Sequence, residues 1–381
     1  MGTLDLEPLR GRLAALDRPP RPADVAAAMR ASGMIVTDDV LIETVESLRR
    51  NSVGAGRLEP LLRLPNVTDV LVNGPDQVYF DRGLGLELTD VKFTDDGDVR
   101  RLAQRLAAMV GRRLDDASPY VDARLPDGTR VHAILGPLAA PGTCISLRVP
   151  AKRTFSVEEM VTAGSLTAGG AELLRRLVRA KLAFLISGGT GSGKTTLLAA
   201  LLGMVPKTER MLIVEDSREL APDHPHLVRL EARPANAESV GAITLTDLVR
   251  QSLRMRPDRV VVGEVRGAEI SDLLMALNTG HEGGCGTVHA NSARDVPARL
   301  EALGALGGLG RSALHAQLAA ALDAVVHIIR LDDGRRRVSD ICVLNRTADG
   351  LVEAEQAVSF ELDGSTRLAP GCHRLEQLLE R

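Results

Sequence analysis

Apolar and polar positions change their rhythm twice along the 381 residues of the chain. Up to about residue 50 the spacing is helical, broken by Arg18-Pro19-Pro20-Arg21-Pro22, and Val40, Leu41, Ile42, Val45 and Leu48 recur on one face within Asp38 to Arg50. This leader, residues 1–50, reads either as a docking arm or as a surface helix. From 51 to 150 short β-rich runs take over. Val67 to Val72 and Gln77 to Phe80 flank the turn Asn73-Gly74-Pro75-Asp76, while Tyr120 to Leu125 and Arg130 to Leu135 flank Pro126-Asp127-Gly128-Thr129. Both pairs read as hairpins. Between them Val99, Leu102, Leu106, Met109 and Val110 share a face and predict a helix over Asp98 to Arg113, and Cys144 to Val149 reads as a closing strand. A small α+β domain follows, ending at the linker Val149-Pro150-Ala151-Lys152-Arg153.

From 151 to 381 the pattern alternates between apolar runs and amphipathic stretches. Helices are expected over Val157 to Ala163, Gly170 to Ala180, Leu197 to Leu202, Thr246 to Arg254 and Glu269 to Leu277. Strands are expected over Leu182 to Ile186, Met211 to Val214, Arg259 to Val262 and Gly286 to Val288. Such alternation predicts an α/β domain with a mainly parallel sheet and ligands at the carboxyl ends of its strands. Residues after about 347 read as irregular around Gly350, Gly364 and Pro370, with a last helix over Leu375 to Arg381.

Composition sharpens this only in places. The content of 44% hydrophobic and 25% charged residues is that of a globular protein, and no apolar run approaches the ~20 residues that span a bilayer. A cytoplasmic location is expected. The net charge of −3 gives no global attraction to nucleic acid or anionic lipid, and the absence of Trp, with two Tyr and five Phe, argues against stacking platforms for single strands. Cys144, Cys285, Cys342 and Cys372 form no C-x-x-C pair and read as small apolar residues, with no zinc site. The basic residues are 42 Arg against 5 Lys, a bias that suits phosphate and subunit contacts and can equally come from codon usage.

The candidate chemistry centres on Gly188-Gly189-Thr190-Gly191-Ser192-Gly193-Lys194-Thr195-Thr196, set between an apolar strand and a helix. This is the G-x-x-x-x-G-K-[ST] phosphate loop in its required context. Glycines let the backbone aim N–H groups at phosphate oxygens, and the helix N-terminus adds its positive dipole end. Lys194 is expected on the β/γ-phosphates and Thr195 on Mg²⁺. Two further apolar strands end in acids, Val214-Glu215-Asp216 and Gly263-Glu264, where a P-loop enzyme needs carboxylates for metal and water. Asp216 serves equally well as a turn cap. Thr279 to Ser292 adds two histidines among glycines, and His289, after a third strand, is placed to reach a γ-phosphate or to respond to its loss.

P-loop, acid pair, Gly-Glu strand end and the Thr287-Val288-His289-Ala290-Asn291-Ser292 segment occur here in an order that resembles the secretion ATPases of the type II/type IV superfamily. Leu58 to Leu62, Val67 to Gly74 and Asp122 to Gly128 resemble its CpaF/Tad branch, which powers Flp-type pili. The resemblance covers about residues 50 to 346. It implies a RecA-like ATPase domain, a mobile N-terminal domain, a hexameric ring acting on an inner-membrane platform, and ATP with Mg²⁺ bound between the domains. It makes Gly188 to Thr195 the Walker A loop, Glu215 and Asp216 the Asp box, Gly263-Glu264 an atypical Walker B, and His289 the histidine of the His box. It also makes Arg124, Arg130 and Arg148 candidates to close over phosphate. The tetracysteine metal insert of type II members is absent. Glu264 is then expected to polarise the attacking water, with Glu215 assisting or holding the metal shell, or the two exchanged. The alternatives are a conjugation or DNA-transfer ATPase of the same superfamily, a nucleic-acid-dependent RecA-like ring, and a nucleotide-gated scaffold.

Overall fold

In the computed structural model the described residues are 22–33, 36–37, 40–41, 54–83, 85–150, 154–235 and 240–381. The chain divides into two compact units, Met1–Pro150 and Ala151–Arg381. In the first, α1 (Pro22–Ala31) buries Val25, Ala26, Ala28 and Met29. Of the helix expected over Asp38 to Arg50 only Val40 and Leu41 are described, both helical, and Ala151 to Arg153 of the expected linker also lie outside the described residues.

The short helix α2 (Glu59–Leu62) leads into a six-stranded antiparallel sheet. Its strands are β1 (Asp69–Asn73), β2 (Val78–Asp81), β3 (Leu86–Leu88), β4 (Tyr120–Arg124), β5 (Arg130–Ile134) and β6 (Cys144–Arg148), in the order β3-β2-β1-β6-β5-β4. Alternation decides the buried face: Val70 and Val72, Val131 and Ala133, and Ile145 and Leu147 point into one core. The helix α3 (Asp96–Ala108) covers that face with Val99, Leu102, Ala103, Leu106 and Ala107. It starts where Asp95 accepts from the Asp98 amide and ends five residues earlier than its apolar spacing predicts. The chain leaves it through a turn in which Gly111 takes a positive φ of 68°, and Met109 is exposed, not buried as its place on the stripe suggested.

The second unit is built on a nine-stranded sheet in the order β15-β14-β13-β12-β7-β11-β10-β8-β9. Strands β7 (Phe184–Gly188), β8 (Met211–Glu215), β9 (Leu227–Glu231), β10 (Arg259–Val265), β11 (Cys285–His289) and β12 (Ala324–Arg330) pair in parallel. The strands β13 (Arg336–Arg346), β14 (Val352–Phe360) and β15 (Thr366–Leu368) extend it antiparallel. The region after 347, read from sequence as irregular, therefore carries two strands of the sheet, and the glycines before and between them lie in hairpin turns, Gly350 at φ 85° and Gly364 at φ 84°. The last helix spans Cys372–Leu379, not Leu375 to Arg381.

Helices cover both faces of this sheet. They are α4 (Val157–Thr162), α5 (Ala168–Arg179), α6 (Lys194–Leu202), α7 (Leu245–Ser252), α8 (Glu269–Asn278), α9 (Val296–Leu306), α10 (Arg311–Ala321) and α11 (Cys372–Leu379). One core holds α4, α5, α6 and α11, and the other holds α7 to α10. Both α4 and α7 open with capping boxes, Ser156 with Glu159 and Thr244 with Asp247, which satisfy otherwise orphaned amides. No helix among the described residues is long and apolar enough to cross a membrane.

Candidate functional site

The parallel strands deliver the loop, acids and histidine to one sheet edge. Strand β7 is fully buried and ends at Gly188, where any side chain is impossible: a Cβ would lie 2.3 Å from the Ile328 carbonyl oxygen of β12. The chain then turns through Gly189, Thr190 and Gly191, all exposed, and Gly193 caps α6 at a positive φ of 97°. Thr195 and Thr196 lie in the first turn of α6, half-buried and exposed, and Ser192 is buried with no hydrogen-bond partner for its hydroxyl. Lys194 is buried and donates to the Gly188 and Gly189 carbonyls at 3.1 and 2.9 Å. Its ammonium lies 3.3 and 3.4 Å from the two ring nitrogens of His289, so it does not sit along one lone pair. Burial lowers the Lys194 pKa, with Glu264 opposing and Arg266 adding.

His289 reaches this position because β11 pairs with β7 in register, His289 opposite Gly188. Its Nε2 lies 2.9 Å from Glu264 Oε1. The contact is close but off the line of a hydrogen bond, so Glu264 Oε1 is buried and without a hydrogen-bond partner. Desolvation first, then the Lys194 charge, lowers the His289 pKa and keeps the ring neutral near pH 7. For Glu264 burial works against ionisation, yet the Arg266 hydrogen bond and the charges of Arg266, His289 and Lys194 outweigh it and hold the carboxylate below its usual range. Arg266 donates to Glu264 Oε2 at 2.6 Å. Sequence reasoning missed this arginine, although it stands two residues beyond the acid on the same strand exit.

Glu215 ends β8, one strand away, and is placed differently. Its Oε1 accepts from the backbone amides of Glu219 and Leu220, both at 2.8 Å, and Arg229 approaches Oε2 at 3.7 Å. Burial nevertheless raises its pKa, opposite to Glu264. The structure therefore brings Lys194, His289 and Glu264 together and gives Glu215 a loop to brace. Asp216 is exposed and lies in the field of Arg266. The glycine before Glu264 has a steric reason: a Cβ on Gly263 would stand 2.6 Å from Glu215 Cγ.

A P-loop nucleotide with Mg²⁺ fits these residues on two counts. Two buried carboxylate oxygens, Glu215 Oε2 and Glu264 Oε1, have no hydrogen-bond partner, and the exposed Gly189 and Gly191 leave loop backbone bare near a buried ammonium. Among the described residues no cluster of three or more His, Cys, Asp or Glu could hold a metal by itself. A metal here would rely on Thr195 and one acid together with phosphate oxygens.

The three candidate arginines of the first unit, Arg124, Arg130 and Arg148, form a row. Arg124 faces Arg130 across β4 and β5, and Arg130 faces Arg148 across β5 and β6. Asp69 and then Asp81 continue the same row on β1 and β2. Directly opposed residues share a face, so one end of this sheet carries a basic half and an acidic half.

Known proteins place this architecture. A family model described as type II/IV secretion system protein matches residues 51–375. A putative conjugal transfer protein of Mycobacterium tuberculosis is 55% identical over 323 residues, covering 83% of this chain and 92% of that protein. The type IV secretion system protein PtlH of Bordetella pertussis is 33% identical over 315 residues, covering 74% and 92%. The solved pilus retraction motor PilT with bound ADP superposes with a TM-score of 0.53 at 18% identity, over 85% of this chain and 84% of that one, which supports a RecA-like fold. With a family match that runs through both units and a relative 55% identical over 323 residues, the chain belongs to the type II/IV secretion system protein family.

Proposed function

We propose that the chain hydrolyses ATP with Mg²⁺ and that turnover drives a type II/IV secretion or pilus-assembly machine. In this reading it works as a homo-hexameric ring on an inner-membrane platform protein, from the cytoplasmic side. The observation that carries the ATPase reading is the convergence of Lys194, His289 and Glu264 where β7, β11 and β10 end. Gly188 to Thr195 cradle the phosphates, and Lys194 exchanges the Gly188 and Gly189 carbonyls for β/γ-phosphate oxygens. Mg²⁺, held by Thr195 and Glu264 with Glu215 nearby, would neutralise charge on those oxygens. Glu264, kept ionised, orients and polarises the attacking water, while neutral His289 steadies Glu264 and lies against the lysine that must move. Arg124, Arg130 and Arg148 are our candidates for further phosphate contacts. Purified Lys194→Ala is expected to lose ATP turnover altogether, and turnover equal to the unaltered chain would remove the assignment.

For the machine served, the CpaF/Tad resemblance of Leu58 to Leu62 and Val67 to Gly74 supports a Flp-type pilus motor. The relative named for conjugal transfer supports the second reading, a DNA-transfer ATPase. Turnover stimulated by DNA, falling steeply with salt, would favour the second; turnover indifferent to DNA favours the first.

A further inference from the structure

His327 stands inside the sheet, two strands from His289, and is 4% exposed. A buried imidazole needs partners, and the strand register brings candidates to this one from both sides. In the register of β12 with β7 it lies opposite Ser187, the residue before Gly188, and its Nδ1 is 2.8 Å from the Ser187 hydroxyl. The backbone carbonyl of Asn291, two residues past His289, lies beside the ring and favours a proton on it. On the other side it faces Asp340 across β12 and β13. Burial lowers its pKa, so the ring is neutral and carries a single N–H. That proton goes to the Asn291 carbonyl, which can only accept. Nδ1 then accepts from the Ser187 hydroxyl, itself buried.

The two arms end at the two sides of the Lys194 contact. Gly188, joined to Ser187, supplies a carbonyl to the lysine, and His289, joined through Ala290 to Asn291, lies against the same ammonium. We propose that His327 is a positioning residue for the turnover assigned above, a buried bridge that fixes the spacing between the P-loop strand and the His289 segment. The role rests on the ATPase reading. It predicts that removing His327 acts through His289, on kcat, with the nucleotide itself still bound.

The test is a double-mutant cycle in the full chain, with ATP turnover and binding of a fluorescent ADP measured for each variant. His327→Leu is expected to lower kcat about tenfold, the scale of a lost buried hydrogen bond, with ADP affinity held within about threefold. His327→Gln, which keeps a donor for Asn291, falls less. In a His289→Ala background His327→Leu is expected to change kcat by less than about twofold, because the two act as one unit. Losses that simply multiply, or an unchanged kcat in His327→Leu, overturn the role. If His327→Leu does not melt cooperatively, Ser187→Ala replaces it in the cycle: a kcat loss absent in the His289→Ala background supports the bridge, and full activity overturns it. An unaltered chain without turnover removes the ATPase reading and this role with it, whereas turnover with additive losses removes the role alone.

Discussion

Glu264 and Glu215 close neighbouring parallel strands, yet their surroundings push their protons in opposite directions. Such a split is how one site assigns different work to two carboxylates. Glu264→Gln is therefore expected to lower kcat by about a hundredfold or more, as removal of a general base does. Glu215→Gln, whose amide oxygen still accepts from Glu219 and Leu220, should cost about tenfold or less; steady-state rates of the two variants check the order, and the reverse order would exchange their roles. The pH profile follows from the same shifts. His289 must be neutral, and its pKa is lowered from 6.5, so activity should hold as pH falls to that value and decline only below it. An acid limb centred above pH 6.5 would show a ring whose pKa is raised and not lowered, and activity lost as pH rises through that range would show a protonated ring at work. Lys194, Glu264 and His289 were legible in sequence because a motif names them. Arg266 and His327 were not, since their partners are set by strand register and a strand exit that no local pattern records.

At the scale of elements, the expected strands and helices of the parallel sheet stand within a few residues of their observed bounds, because each is a continuous apolar run or a helical stripe. The strands β9 and β12 and the β13 to β15 extension were not read. In β9 every residue is only half-buried, so the run Leu227–Glu231 lacks the contrast that marks a strand. The β12–β13 hairpin matters to the site: Arg336 donates through Nε to the Gly191 carbonyl at 2.9 Å, and its Cδ lies 3.1 Å from where a Gly193 Cβ would be. Arg336→Ala should loosen the phosphate loop and weaken ADP binding by about three- to tenfold, measured by titration; unaltered affinity would show that the loop holds its shape without the hairpin. Helix α5 contributes Leu174, fully buried in the core under the P-loop strand. Leu174→Ala is expected to cost about 2–5 kcal/mol in urea unfolding, with the second unit losing its cooperative transition first.

Among the described residues of the whole molecule, one core lies within residues 55–147 and two flank the nine-stranded sheet. A fragment 154–381 holds the complete P-loop cluster with both cores that support it, so it should melt cooperatively and bind ADP on its own. Loss of either property would show that the first unit is needed for the fold of the second. The arrangement of acids carries this separation down to the level of single strands. Glu215 fills the volume that any substituent on position 263 would need, so the two positions can change only as a couple. A carboxylate moved onto 263 evicts its neighbour unless residue 215 shrinks in the same step. Gly263→Asp alone is then a dead end, while Gly263→Asp with Glu215→Gly relocates the acid from one strand to the next and regains a foldable chain.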